Sequence, residues 1–267
     1  MAIDVERYLD RISYNGSRQP TLETLRQLHR AHLLTVPFEN LDIALDRPIV
    51  LDAGALFAKI VERRRGGFCY ELNGLFAALL RALGFRVTLL SGGFFRSHGE
   101  DGTVFGPEFD HLALRVDLQQ PWLADVSTFL YPLRFDTADE QESKEPDAPS
   151  IQPLTKDVWH DRYRILPDDE HQILQQRDWA NVWQDRFRFT LVPRRLSDFD
   201  AMCRYHQTAP ESIFLQHRTC TRVTATGRVT IADLRLLITE GGERRETDLA
   251  DEASRTAALR EYCGIEV

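Results

Sequence analysis

Residues 63–85 read Arg63-Arg64-Arg65-Gly66-Gly67-Phe68-Cys69-Tyr70-Glu71-Leu72-Asn73, then GLFAALLRALGF, and this stretch organises the chain. Cys69, Leu72, Phe76, Leu80 and Leu83 recur on one stripe at helical spacing. Two glycines precede the run, and Gly84 stands where a left-handed residue ends a helix. The spacing predicts a helix from Cys69 to Leu83 with a cysteine in its first turn. There, backbone N–H groups and the positive end of the macrodipole favour a thiolate, and Arg63, Arg64 and Arg65 add positive charge. The same N–H groups could stabilise an oxyanion formed by attack on a carbonyl. The alternative reading is a small buried hydrophobe, as most unpaired cysteines are.

Outward from this helix, the chain before it is helical. Leu22, Leu25, Leu28, His32 and Leu33 share a face, Thr21 is placed to cap it, and Pro37 stops it, leaving PFENLD as a loop. A further helical run carries Leu56, Ile60 and Val61. After Gly84 the period changes to two: Phe85, Val87 and Leu89, then Leu112, Leu114, Val116 and Leu118, then Trp122, Ala124 and Val126. Residues 91–108 are polar and glycine-rich and predict a surface loop; residues 136–150 are acidic and predict a solvated linker. Ile173 to Trp183 has a helical pattern. Strands are predicted at Phe187–Val192, Thr219–Thr224, Val229–Ile231 and Leu234–Thr239, with turns at Gly227 and Gly241-Gly242 and a last helix from Asp251 to Tyr262.

A nucleophilic cysteine needs a base and a group that orients the base. His111 opens the strand HLALRVDL, and Asp125 follows in WLADV. A connection at 119–121 pairs Leu118 with Trp122 and puts both on one face. In that register Asp125 lies opposite Arg115, about 13 Å along the strand from His111, so a bulge, twist or other pairing must close the gap. The alternatives are a solvated strand-end histidine and an Asp125–Arg115 salt bridge. His29 and His32 form a helix-face pair without a third ligand, so no metal site is read. Cys203, Cys220 and Cys263 are read as structural.

Composition removes several classes of function. The chain has 267 residues, with 33 basic against 41 acidic side chains and a net charge of −8. That balance disfavours nucleic acid, whose affinity rests on phosphate neutralisation. No apolar run approaches a membrane span, and the opening MAIDVERYLDRIS lacks a signal peptide's apolar segment. Four scattered cysteines form neither a zinc pattern nor a disulfide framework, so a cytoplasmic protein with free thiols is expected.

The motifs together resemble the arylamine N-acetyltransferases. The resemblance runs through YLDRISYNG, TLETLRQLHRAHLLTVPFENLDI, RRRGGFCYELNGLFAALLRALGF, DHLALRVDL and WLADV, and weakens toward FRFTLVPRRLSDFDAMCRYHQTAPESIF and EYCGIEV. It implies an α+β fold in three parts: a helical bundle (1–84), an antiparallel β-barrel-like domain (85–192) and a C-terminal α/β lid (193–267). It implies a cysteine-protease-like triad of Cys69, His111 and Asp125, and ping-pong transfer through a Cys69 thioester. Acetyl-CoA would donate the acetyl group as a substrate, with no permanently bound cofactor. Arylamines, arylhydrazines or N-hydroxyarylamines would accept it. Phe38, Phe68, Arg65, Thr128 and Phe129 are implied as substrate-binding residues, core packing being the alternative for Phe68. A monomer or small homo-oligomer is expected. Rival readings are an amide synthase of the same fold acting on a bulky acyl chain, a cysteine hydrolase or transglutaminase-like enzyme, and a catalytically weak binding protein. The chain departs from the family in reading Asp125-Val126-Ser127-Thr128-Phe129 where a glycine-rich DVGFG is usual, and Ser91-Gly92-Gly93-Phe94-Phe95 after the first barrel strand.

Overall fold

The computed structural model describes residues 3–99, 102–129, 131–135, 162–177 and 181–267. Helix α1 (Val5–Arg11) starts at Asp4, whose carboxylate accepts from the Arg7 N–H. Helix α2 (Leu22–Thr35) starts at Thr21, whose hydroxyl accepts from the Thr24 N–H at 3.2 Å, as the sequence predicts. PFENLD is more regular than a loop: Phe38–Glu39 is a short strand, β1, and Leu41–Ala44 a single helical turn, α3. Helix α4 (Ala53–Phe57) runs into a π-helical turn at Ala58–Glu62. Helix α5 (Cys69–Ala82) then follows the predicted stripe and stops at Gly84, whose φ is +88°.

The glycine pair before α5 serves close approach rather than a left-handed turn. A Cβ on Gly66 would run into the Pro37 carbonyl, and one on Gly67 would lie 2.7 Å from Glu71 Cβ. Gly67 O accepts from the Glu39 N–H at 2.9 Å, which fastens PFEN against RGGF.

The barrel-like sheet contains β2 (Arg86–Gly99), β3 (Gly102–Phe105), β4 (His111–Asp117), β5 (Pro121–Ala124), β6 (Leu133–Arg134), β7 (Arg162–Asp168), β8 (His171–Arg177) and β9 (Trp183–Thr190). Their order is β6-β5-β4-β2-β9-β8-β7, with β3 paired to β2. The structure departs from two expectations in this sheet. Residues 91–99 are not loop but continue β2. Gly93 is needed because a Cβ there would strike the Gly106 carbonyl, so the glycine content reflects tight packing within a strand. Ile173 to Trp183 is not helical. Leu174 is fully buried against Phe187 across β8–β9, and the short apolar run there is ambiguous between periods. The expected linker at 136–150 lies outside the described residues. Strand β4 is buried on both faces: Leu112, Leu114 and Val116 pack toward α5, while Ala113 joins Leu123 and Phe187 inside the barrel.

A 3₁₀ turn at Leu196–Phe199 leads to α6 (Asp200–Thr208), α7 (Ile213–Gln216), β10 (Thr219–Val223), β11 (Gly227–Ala232), β12 (Arg235–Glu240) and β13 (Glu243–Asp248). Helix α8 (Glu252–Ala258) continues as a π-helical turn at Leu259–Cys263 and ends at Gly264. The second sheet is ordered β1-β10-β11-β12-β13, so PFEN supplies its edge strand. Strand β13 escapes sequence reading because ERRETD is exposed throughout and has no apolar alternation. Phe199, Cys203 and Val223 are buried in the same cluster as Leu72 and Phe76. One buried cluster therefore draws on all three parts, and β1, from the first, pairs with β10 of the third.

Candidate active site

The nucleophile candidate sits where α5 meets the barrel. Cys69 is 2% exposed, and one helical turn on, Asn73 faces the same side. Asn73 Nδ2 donates to Leu112 O and to Asp125 Oδ1, both at 2.8 Å, and its Oδ1 accepts from the Val126 N–H at 2.9 Å. One amide thus fixes α5 to the start of β4 and to the segment after β5.

The β4–β5 register differs from the expected one. Asp117 pairs with Pro121 and Leu114 with Ala124, rather than Leu118 with Trp122. Continued by one residue, that register sets Asp125 beside Ala113, two residues from His111 instead of four. His111 Nε2 and Asp125 Oδ2 are 2.7 Å apart and both residues are fully buried. Arg115 pairs instead with Asp117 at 2.8 Å. Asp125 Oδ1 also accepts from the Ser127 N–H at 2.9 Å and from Ser127 Oγ at 2.6 Å, and the Asp125 N–H donates to His29 Nε2 at 3.1 Å.

These contacts decide protonation. Burial works to raise the Asp125 pKa, but the His111 charge and the donors from His111, Asn73 and Ser127 outweigh it and hold the carboxyl well below its ordinary range. An ionised carboxylate only accepts, so His111 Nε2 carries the proton and Nδ1 is the basic nitrogen. Among the described residues Nδ1 has no hydrogen-bond partner. The imidazole is walled by Phe94, at 4.5 Å between ring centroids, and Phe187, at 4.7 Å.

Burial pushes the Cys69 thiol well up, Asp125 adds to this, and a hydrogen bond from the Leu112 backbone opposes it. The thiolate-favouring charge expected from Arg65 is not available to it. The Arg65 guanidinium is 2.9 Å from Glu39 and 3.0 Å from Asp42, and Lys59 Nζ is 2.9 Å from Asp42 and 2.8 Å from Glu71. Glu71 Oε2 accepts from the Phe68 N–H at 3.1 Å, capping α5 and occupying one of the donors at the helix start. Burial raises Glu71 to about 7.

Cys69 opens onto a cavity of about 250 Å³ where helices, barrel and C-terminal sheet meet. Phe38, Thr128 and Phe129 line it, as does Ser127. Arg65 and Phe68 do not. Arg65 is held in the buried ion cluster, and Phe68 is fully buried, with ring centroids 4.9 Å from Tyr70 and 5.6 Å from Phe214. Sequence reading missed the lining residues Phe94, Phe214, Arg186 and Arg228. It also missed Asn73 and Ser127, although their spacing, four residues after Cys69 and two after Asp125, was a usable signal. His29 and His32 are both buried; Tyr8 OH lies 2.9 Å from His32 Nδ1. Among the described residues no group of three or more His, Cys, Asp or Glu could hold a metal ion, and no helix is long and apolar enough to cross a membrane.

A family profile described as N-acetyltransferase matches residues 21–267. The arylamine N-acetyltransferase of Escherichia coli K12 is 32% identical over 98% of this chain and 89% of its own length. The chain belongs to the arylamine N-acetyltransferase family. Members of that family are acyltransferases. The Salmonella typhimurium relative, named arylamine N-acetyltransferase / N-hydroxyarylamine O-acetyltransferase, is 32% identical over 97% of this chain and 88% of its own. Solved family structures superpose closely. The Mycobacterium tuberculosis enzyme has a TM-score of 0.84 at 32% identity, covering 98% of this chain and 94% of that one. The Mycobacterium marinum enzyme in complex with CoA has a TM-score of 0.83 at 31% identity, covering 98% and 93%.

Proposed function

We propose that the protein transfers an acetyl group from acetyl-CoA to the nitrogen of arylamines, arylhydrazines or N-hydroxyarylamines, by a ping-pong route through a thioester on Cys69. The observation that carries this reading is the buried His111–Asp125 pair at 2.7 Å, which leaves His111 Nδ1 to act as a base, its ring packed on Phe94, which lines the cavity that Cys69 opens onto. His111 Nδ1 takes the Cys69 proton as Sγ attacks the acetyl carbonyl, and Asp125 stabilises the imidazolium. The tetrahedral intermediate expels the CoA thiolate, which leaves with the proton from His111. In the second half-reaction the amine nitrogen attacks the Cys69 thioester. His111 removes the amine proton and returns it to the departing sulfur.

Burial of the thiol supports this order of events. Desolvation keeps Cys69 neutral until a cation forms beside it, so proton transfer to His111 accompanies attack. The fourfold anchoring of Asp125 supports it too, because an orienting carboxylate must hold one imidazole tautomer. A cavity of about 250 Å³ walled by Phe38, Phe94, Phe129 and Phe214 suits an acetyl group and an aromatic ring better than the bulky acyl chain of an amide synthase.

Steady-state kinetics with acetyl-CoA and an arylamine test the proposal. Parallel double-reciprocal lines and CoA release that depends on the amine are expected. CoA release that continues undiminished without amine would make the protein a hydrolase.

A further inference from the structure

The chain carries a net charge of −8, yet among the described residues the cavity lining holds two arginines, Arg186 and Arg228, and no acidic residue. Both arginines are exposed, so they stand at the mouth while Cys69 lies at the buried end. Among the described residues neither guanidinium has a carboxylate, hydrogen-bond or aromatic partner, whereas others nearby are engaged. Arg188 lies over the Phe105 ring and Arg194 contacts Glu108. Asp185, the acid next to Arg186, accepts from Gln175 Nε2 at 2.6 Å.

The two side chains reach the cavity from different sheets, each by a specific feature of its own sheet. In the β8–β9 ladder Gln175 pairs with Asp185 and Leu174 with Phe187, so Arg186 is the extra residue of a β-bulge. Bulges re-aim side chains and occur beside active sites, and the next residue, Phe187, packs on His111. In the second sheet, Thr219, Thr221 and Val223 alternate along β10 to line the cavity, and Arg228 on β11 pairs directly with Val223. Cross-strand partners share a face, which brings Arg228 to the same wall.

Resting on the acyl-transfer reading above, we infer that Arg186 and Arg228 form an anion subsite of the cleft. It takes a phosphate or carboxylate group on a ligand whose other, uncharged end reaches Cys69. Guanidinium forks match both oxyanions, and two of them lining one cavity give charge-assisted hydrogen bonds with no competing acid among the described lining residues. A phosphate would belong to the thioester donor and a carboxylate to the aromatic amine acceptor.

The test is a matrix of kcat/KM values for wild type, R186Q, R228Q and the double variant, with folding checked by thermal melts. The donors are acetyl-CoA and phosphate-free S-acetylpantetheine; the acceptors are 4-aminobenzoate and neutral 4-toluidine. The subsite predicts that the preference for the charged member of one pair falls about tenfold in the double variant, and that wild-type preference weakens as salt rises. Collapse of the donor ratio identifies phosphate, and collapse of the acceptor ratio identifies carboxylate. Ratios unchanged on both axes, in a wild type that turns over acetyl-CoA, would overturn the subsite and leave the acyl-transfer reading intact. If wild type turns over no donor, that reading fails, and calorimetry of CoA and 4-aminobenzoate decides the subsite. Weaker binding of either to the double variant supports it, and equal or absent binding overturns it.

Discussion

Asn73 Nδ2 lies 2.8 Å from Asp125 Oδ1, so the helix that presents Cys69 also holds the carboxylate that orients His111. Asn73→Leu keeps the branching and heavy-atom count but removes this donor, the bond to Leu112 O and the acceptor for Val126 N–H. We expect kcat to fall about 100-fold, as for a displaced catalytic group, with a loss of about 2–4 kcal/mol in unfolding free energy. Turnover and chemical denaturation of the same preparation measure both. Unchanged kcat in Asn73→Leu would mean that Asp125 does not need this anchor.

Ser127 supplies a hydroxyl donor to Asp125 that a glycine at this position cannot. Asp125 is depressed below its ordinary 3.8 in the folded state, so its contribution to stability is present above that value and is lost as pH falls. Ser127→Ala removes one donor at 2.6 Å and lessens the depression. Acid unfolding, followed by fluorescence, should therefore occur at higher pH than in wild type.

Glu71 titrates in the opposite sense. Its pKa is raised from 4.5 to about 7, so the folded state holds the proton more tightly and the contribution to stability declines as pH rises across that interval. Glu71→Gln cannot titrate. The unfolding free energy of wild type relative to Glu71→Gln should decrease between pH 4.5 and 7, and a flat or rising difference would contradict the assignment.

Gly66 tests the link between PFEN and the nucleophile turn. Its missing Cβ makes room for the Pro37 carbonyl, a backbone atom that cannot swing aside. Gly66→Ala is expected to cost about 1–3 kcal/mol and to slow alkylation of Cys69 by iodoacetamide in the folded protein, because the turn carrying the thiol must shift.

Much of this arrangement is legible in the residues. The Cys69 stripe, the Thr21 cap and the β10–β12 alternation follow from periodicity, and the helix ends from Gly84 and Gly264. Register is less legible. The β4–β5 pairing depends on turn geometry, and a two-residue error in Asp125's partner separates a 2.7 Å contact from a gap of strand length. Arg65 misleads because a sequence shows its charge but not the buried Glu39 and Asp42 that neutralise it. Arg186 is invisible for a different reason: a bulge breaks the alternation that would have assigned its face.

The proposed mechanism turns on a covalent acetyl group on Cys69. Protein mixed with acetyl-CoA in the absence of amine should gain one acetyl by intact mass, mapped to Cys69 by peptide analysis and lost when an arylamine is added. Cys69→Ala should gain none and be inactive, whereas Cys203→Ala, Cys220→Ala and Cys263→Ala should acetylate as wild type does. Turnover by Cys69→Ala, or an acetyl mapped to another residue, would contradict the account.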